Sequence, residues 1–452
     1  MTSANRRWQL QVLALMGALL GSLLVLVPTA RAVPADRFYS FSNQSKLAAA
    51  QPGDILKSRV RNYHFMGFPT QGLAIQLLFR TTDAQGRPAA EVTTVLVPAG
   101  NHDRTKALVY GSAYDSLNPE DGPSRTLTGQ KQDTGAGILG KVEDVFFGSS
   151  LGNGHVVIVP DVEGQNPAFG AGPLYGYLTL DAIRAAQNSP LVGLDPEARF
   201  GLVGYSGGAI ATSWAAALAP SYAPEVNARI VGVAQGGLLV DPAHNLRYVG
   251  GSLGWSAVIP LALIGIARAY DVNLDPYLSR YGRRLQRKLQ DADFTDAWFS
   301  YPGLTWQKLV RKRYANPNSV RPFIESANKI NLAQAPTPTV PIMIGQGIAG
   351  WLEGTSGDNA PELGPGDGVM IAGDVRTLAR QYCAAGTKVL YREFAMSHLG
   401  TLPFWAQEAI AWLDARFKGQ PIPTNCGSIA PGNDLSPEVY RAAAWRPQRR
   451  PK

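Results

Sequence analysis

Cysteine and histidine are scarce in this chain: two cysteines and five histidines in 452 residues. No CxxC or HxxxH spacing occurs, so a metal centre of the common zinc type is excluded and none is expected. Two cysteines, Cys383 and Cys426, cannot build a disulfide framework; they supply one bond or two free thiols. Charged residues make up only 17% of the chain against 45% hydrophobic ones, the balance of a globular protein rather than a disordered one. The net charge of +8 is dispersed and accompanies no nucleic-acid motif, so nucleic acid is not an expected partner. Internal repeats and long low-complexity tracts are absent. Beyond the N-terminus no apolar run approaches the roughly 20 residues that span a membrane; the best, residues 257–267, is short and contains Pro260.

What the N-terminus does have is a leader pattern. Arg6 and Arg7 precede an apolar run over about residues 10–27, followed by Pro28 and Ala30-Arg31-Ala32. This predicts a signal peptide over residues 1–32, cleaved near Ala32, and a secreted protein in the extracellular space or cell envelope. A retained anchor is the alternative. Export favours a Cys383–Cys426 disulfide over two buried thiols. Residues 33–452 exceed the size at which one core stops growing, so one large domain with an insertion, or two domains, is expected.

Two kinds of segment alternate along that length. Apolar, β-branched runs at residues 107–110, 156–159, 200–203, 230–233, 340–344 and 388–394 read as buried strands. Helical patterns occur at 179–187, 208–219, 374–383 and 404–417, with Asp374 a candidate N-cap. The alternation predicts an α/β fold with a mostly parallel sheet and helices on both faces. It breaks over about residues 242–335, where an apolar run (255–267) and a basic stretch (280–288) suggest a helical insertion over the sheet. From about residue 428 the tail is basic and Pro-rich, and part of it is expected to be mobile.

The sharpest motif is Gly204-Tyr205-Ser206-Gly207-Gly208, between the strand ending at Val203 and a helix. A G-x-S-x-G in that context is the nucleophile elbow of an α/β-hydrolase, whereas alone it would be a Gly-rich turn. Ser206 is the candidate nucleophile and the Gly207 N–H a candidate oxyanion donor. A serine needs a base. In the chain order of this fold the histidine comes last, which leaves His244 and His398. His398 follows the last strand and precedes a helix, as the base should; His244 lies too close to the serine. The acid is expected after the 340–344 strand, among Glu353, Asp358, Asp367 and Asp374. Asp367 is the first choice, since Asp374 suits a helix cap and the other two sit in a Gly-rich loop. The second oxyanion donor is expected near Asp115, in the loop after the 107–110 strand.

Together these residues resemble the secretory lipase family of α/β-hydrolases, the yeast lipase A type. The likeness spans about residues 38–426 and also rests on Tyr114-Asp115-Ser116, Pro160-Asp161-Val162-Glu163-Gly164, Leu180–Arg184, Gly366–Met370 and the two cysteines. It implies Ser206, Asp367 and His398 as catalytic residues, Asp115 and Gly207 as oxyanion donors, and a helical lid at 242–335. The activity it implies is that of a lipase or carboxylesterase without a cofactor, acting on lipid or other esters, with lipid-surface contact through the lid. An acyltransferase using the same residues and a non-enzymatic envelope-binding protein are the alternatives. One departure stands out: a long Gly/Pro-rich loop separates Gly347 from Asp367, where the family places the acid soon after the strand.

Overall fold

A computed structural model describes residues 36–130, 135–358 and 360–443; the expected signal peptide lies outside them. Nine strands form the sheet among these residues: β1 (Ile55–Phe65), β2 (Phe68–Thr82), β3 (Pro88–Val97), β4 (Asp103–Gly111), β5 (His155–Pro160), β6 (Arg199–Tyr205), β7 (Ile230–Gly236), β8 (Ile342–Gly347) and β9 (Val389–Phe394). Their order is β1-β2-β3-β5-β4-β6-β7-β8-β9. The first three pairings are antiparallel, and from β5 to β9 every neighbour is parallel. The antiparallel β1–β3 edge is a feature that the apolar-run pattern does not foresee.

The side-chain period of two splits each strand between two cores. Leu77, Val109, Leu202, Val233 and Ile344 face one side, packed against α2 (Gly172–Asn188), α3 (Gly207–Tyr222) and α8 (Ala372–Ala384); α1 (Gly135–Gly152) and α9 (His398–Phe417) cover the other, where Leu108, Val203, Ala234 and Met343 meet Phe147, Trp405 and Trp412. Helices on both faces explain why the central strands are apolar throughout.

Between β7 and β8 lie α4 (Pro242–Tyr248), α5 (Val258–Ala269), α6 (Arg280–Lys288), α7 (Arg321–Lys329) and several short turns. These helices have a core of their own, including Leu246, Trp255, Leu278, Leu285 and Phe323. α6 buries only Gly282 and Leu285, and its Arg280, Arg284 and Arg287 are exposed.

One expectation needs correction. Asp374 is not a cap: α8 begins at Ala372 after Ile371, and Asp374 is a buried residue of its first turn. There its carboxylate pairs with His244 of α4, Nδ1 to Oδ1 at 3.0 Å, and a first-turn carboxylate also suits the helix dipole. The tail is laid down on the protein through residue 443. Ile429 and Leu435 are buried in the α2/α3/α8 core, Thr377 donates to the Asn433 carbonyl at 2.7 Å, and Glu438 pairs with Arg247 at 3.0 Å. Cys383 and Cys426 are joined in a disulfide, which ties the end of α8 to the start of that tail.

Candidate active site

The site lies at the carboxyl ends of the parallel strands, where open α/β sheets place their ligands. β6 ends in the elbow, and Ser206 is held at φ 55° and ψ −121°, a region that costs a non-glycine residue about 1–3 kcal/mol. The surrounding crowding enforces it. A Cβ on Gly204 would stand 2.1 Å from the Gly208 carbonyl oxygen, and one on Gly208 would stand 2.0 Å from that of Gly111. Both positions must therefore be glycine, and β4, β6 and α3 pack backbone to backbone. The Ser206 N–H is anchored on the Gly236 carbonyl of β7 at 2.9 Å.

His398 is the first residue of α9, with Ser397 capping that helix through the Gly400 N–H. Its Nε2 lies 2.8 Å from Ser206 Oγ, and its Nδ1 lies 2.7 Å from Asp367 Oδ2. The imidazole is 1% exposed, and it is braced from below by Tyr205, whose hydroxyl donates to the His398 carbonyl at 2.6 Å. Burial opposes its protonation, but the charge and hydrogen bond of Asp367, helped by Glu353 and Asp115, outweigh that and raise its pKa above the ordinary 6.5.

Asp367 is fully buried and fully bonded. Its Oδ1 accepts the N–H groups of Val369 and Met370 at 3.0 and 2.7 Å. Oδ2 accepts Gln346 Nε2 at 3.0 Å besides the imidazole, and its carbonyl accepts the His398 N–H at 2.7 Å. The long loop before it thus delivers the carboxylate to the histidine all the same. Of the other acids weighed, Asp374 is engaged with His244, Asp358 is exposed, and Glu353 is bonded to Trp255 and to the Leu399 N–H.

Asp115 and Gly207 face each other beside the serine; a Cβ on Gly207 would fall 1.9 Å from Asp115 Oδ1. Asp115 has φ 40°, and its loop is pinned from two sides. Glu163 accepts the Ser116 N–H at 2.9 Å. Phe294, of the segment between β7 and β8, donates its N–H to the Asp115 carbonyl at 2.8 Å. Burial pushes the Asp115 carboxyl up to about 7, against the pull of a charged His398.

Ser206, Gly207 and Asp115 open into a cavity whose other walls are almost wholly apolar, Val258, Ile259, Leu263, Ile266 and Phe323 among them. Its roof comes from α5 and α7. Sequence patterns gave no sign of Gln346 at the site; they offered Glu353 only as a candidate acid and Trp255 only as part of the insertion's apolar run. No grouping of potential metal ligands occurs among the described residues, nor does any helix long and apolar enough to cross a membrane.

Comparison with known proteins agrees with this architecture. The sequence model of the secretory lipase family matches residues 130–360. A Mycobacterium tuberculosis protein named "Probable inactive lipase" is 33% identical over 82% of this chain and 80% of its own length. Lipase 6 of Candida albicans is 28% identical over 96% and 91%, and a secreted triacylglycerol lipase of Malassezia globosa is 41% identical over 48% and 46%. Among solved structures, Candida antarctica lipase A in its closed state superposes with a TM-score of 0.74 at 23% identity, covering 91% of this chain and 93% of that one, a likeness of fold. With half its length matched by the family's sequence model, and a relative one-third identical over most of both chains, this protein belongs to the secretory lipase family, α/β-hydrolases of the lipase and carboxylesterase class.

Proposed function

We propose that this protein is an exported serine hydrolase that cleaves lipid acyl esters through an acyl-enzyme on Ser206. The observation that carries the proposal is the hydrogen-bonded series Ser206–His398–Asp367 standing at the mouth of an apolar cavity. His398 Nε2 takes the Ser206 proton as Oγ bonds to the ester carbonyl carbon. The carbonyl oxygen becomes an oxyanion held by the N–H groups of Gly207 and Asp115. The imidazolium returns its proton to the leaving alkoxide, and the alcohol departs. Water then attacks the acyl-enzyme with His398 again as base, Ser206 recovers its proton, and the free acid leaves. Asp367 keeps Nδ1 protonated and stabilises the imidazolium. His398 carries every proton of the cycle, so the chemistry calls for no cofactor. Export follows the leader, with cleavage near Ala32.

One relative bears the name of an inactive lipase, so the test must read chemistry directly. The purified protein is expected to react with a fluorophosphonate probe and to hydrolyse p-nitrophenyl esters and emulsified triglyceride. Ser206→Ala is expected to abolish labelling and lower kcat by roughly 10³-fold or more while the unfolding profile persists. Turnover near wild type in that variant would remove Ser206 from the mechanism. A wild-type protein that neither labels nor hydrolyses any ester would put the chain with binding proteins that retain the fold. Ester exchange outrunning hydrolysis on addition of alcohol would make it an acyltransferase.

A further inference from the structure

Three walls meet above the imidazole of His398, and one side chain fastens them together. Glu353 ends the short helical turn Gly350–Glu353, within the long loop between β8 and Asp367. Both of its carboxylate oxygens are engaged. Oε1 accepts the N–H of Leu399, the residue next to His398, at 2.8 Å. Oε2 accepts the indole N–H of Trp255 at 2.9 Å. Trp255 stands edge-on to the imidazole with ring centres 5.1 Å apart and planes at 79°. It also stacks on Phe294, 5.1 Å and 18°, and the backbone N–H of Phe294 holds the Asp115 carbonyl. Acid loop, histidine helix, helical insertion and oxyanion loop are thus joined through one carboxylate and one indole.

Resting on the Ser206–His398–Asp367 reading, we propose that Glu353 is a positioning residue for the reaction: a second carboxylate that fixes the histidine helix against Trp255 and favours the imidazolium formed during catalysis. The two bonds are charge-assisted, stronger than neutral ones, and they lie in a partly buried setting where a negative charge near an imidazole is weakly screened. The groups facing His398 are Asp367 on Nδ1, Ser206 on Nε2, Asp115 across the cavity mouth, Tyr205 on its carbonyl and Glu353 above; Tyr248 lies farther out, beside Gly350 and Gly366. Among these acids Glu353 alone bonds the insertion through its carboxylate. The loop that carries it is the same one that separates β8 from Asp367, so the extra length there supplies a function.

The test compares Glu353→Gln, Glu353→Asp and Trp255→Phe by the pH dependence of kcat/KM, with unfolding and fluorophosphonate labelling followed in each. Glu353→Gln keeps the shape, loses the charge and leaves one of two N–H donors unsatisfied. It is expected to lower kcat about tenfold and to move the acid limb to lower pH by about half a unit. Trp255→Phe keeps the ring and loses the bond, so kcat is expected to fall with the acid limb in place. Glu353→Asp is expected to hold the limb near its wild-type position, and it stands in for Glu353→Gln should that variant not fold: a limb displaced downward with the charge retained would overturn the proposal. So would a Glu353→Gln enzyme with the wild-type kcat and limb. If Ser206→Ala retains activity, the catalytic reading itself has failed; if Ser206→Ala is dead and the wild type labels while Glu353→Gln behaves as wild type, only the role of Glu353 is lost.

Discussion

Ser206 and His398 show what the fold invests in a few atoms. The serine is held in a strained conformation by glycines that no side chain could replace, and the imidazole is almost fully buried between a buried carboxylate and the hydroxyl it would deprotonate. The pH consequence follows from the sign of the shift. Asp367 raises the pKa of His398 above its ordinary value, and only the neutral imidazole can accept the Ser206 proton. Activity is therefore expected to be lost as pH falls, with the midpoint of kcat/KM above about 6.5. Asp367→Asn removes the charge and leaves Nδ1 with the wrong partner. That variant is expected to lose kcat, though less than Ser206→Ala does, with its residual acid limb displaced downward. Kinetics from pH 4 to 9 check both outcomes. Damage from Asp358→Asn equal to that from Asp367→Asn would mean that the acid is misassigned.

At the scale of elements, α4 and α8 meet through the His244–Asp374 pair. Burial opposes a charge on His244, yet the bond and charge of Asp374, together with Asp241, raise its pKa. Asn433 of the tail also donates to Asp374, at 2.7 Å. The folded value lies above the unfolded one, so the stabilisation from this pair is fully present below about pH 6.5 and is lost as pH rises through the folded value. The melting-temperature gap between wild type and His244→Gln should accordingly narrow from pH 5.5 to 8.5; a gap that widened would mean that the imidazole is buried neutral. Nothing in the sequence pairs these two residues, which are far apart in the chain. Elements were readable where burial on both faces wrote a continuous apolar run, as at residues 156–159 and 200–203. They were hidden where a strand is half-covered or on an edge. β1 alternates Lys57, Arg59 and Arg61 with less polar residues, and β2 and β3 carry Gln76, Thr93 and Thr94 inward. The elbow and the order of Ser206, Asp367 and His398 could be read because the chemistry restricts those residue types. The bonds of Glu353 could not, since only the fold brings its loop to Trp255 and Leu399.

For the molecule as a whole the question is what the segment between β7 and β8 does for the substrate. α5 is buried, and its two faces have different surroundings. Ile259 and Ile266 line the cavity beside Ser206, whereas Ile264 faces Leu278 and Leu309 within the insertion; Leu263 borders both. The large apolar side chains left exposed near Trp255 are instead Leu253, Phe299, Trp351 and Leu352. A cavity with such walls should reward each buried methylene of an acyl chain by about 0.8 kcal/mol, or about fourfold in kcat/KM, until its length is filled. A series of p-nitrophenyl esters from acetate to palmitate is expected to show that climb and then a plateau. Ile266→Trp narrows the cavity, so the plateau should come at a shorter chain, with long-chain turnover falling tenfold or more and acetate nearly unchanged. Ile264→Ser, on the opposite face, should lower stability and leave the chain-length profile as it was. A profile flat from acetate to palmitate, or one displaced equally by both substitutions, would mean that α5 serves only to support the insertion and that the acyl chain lies elsewhere.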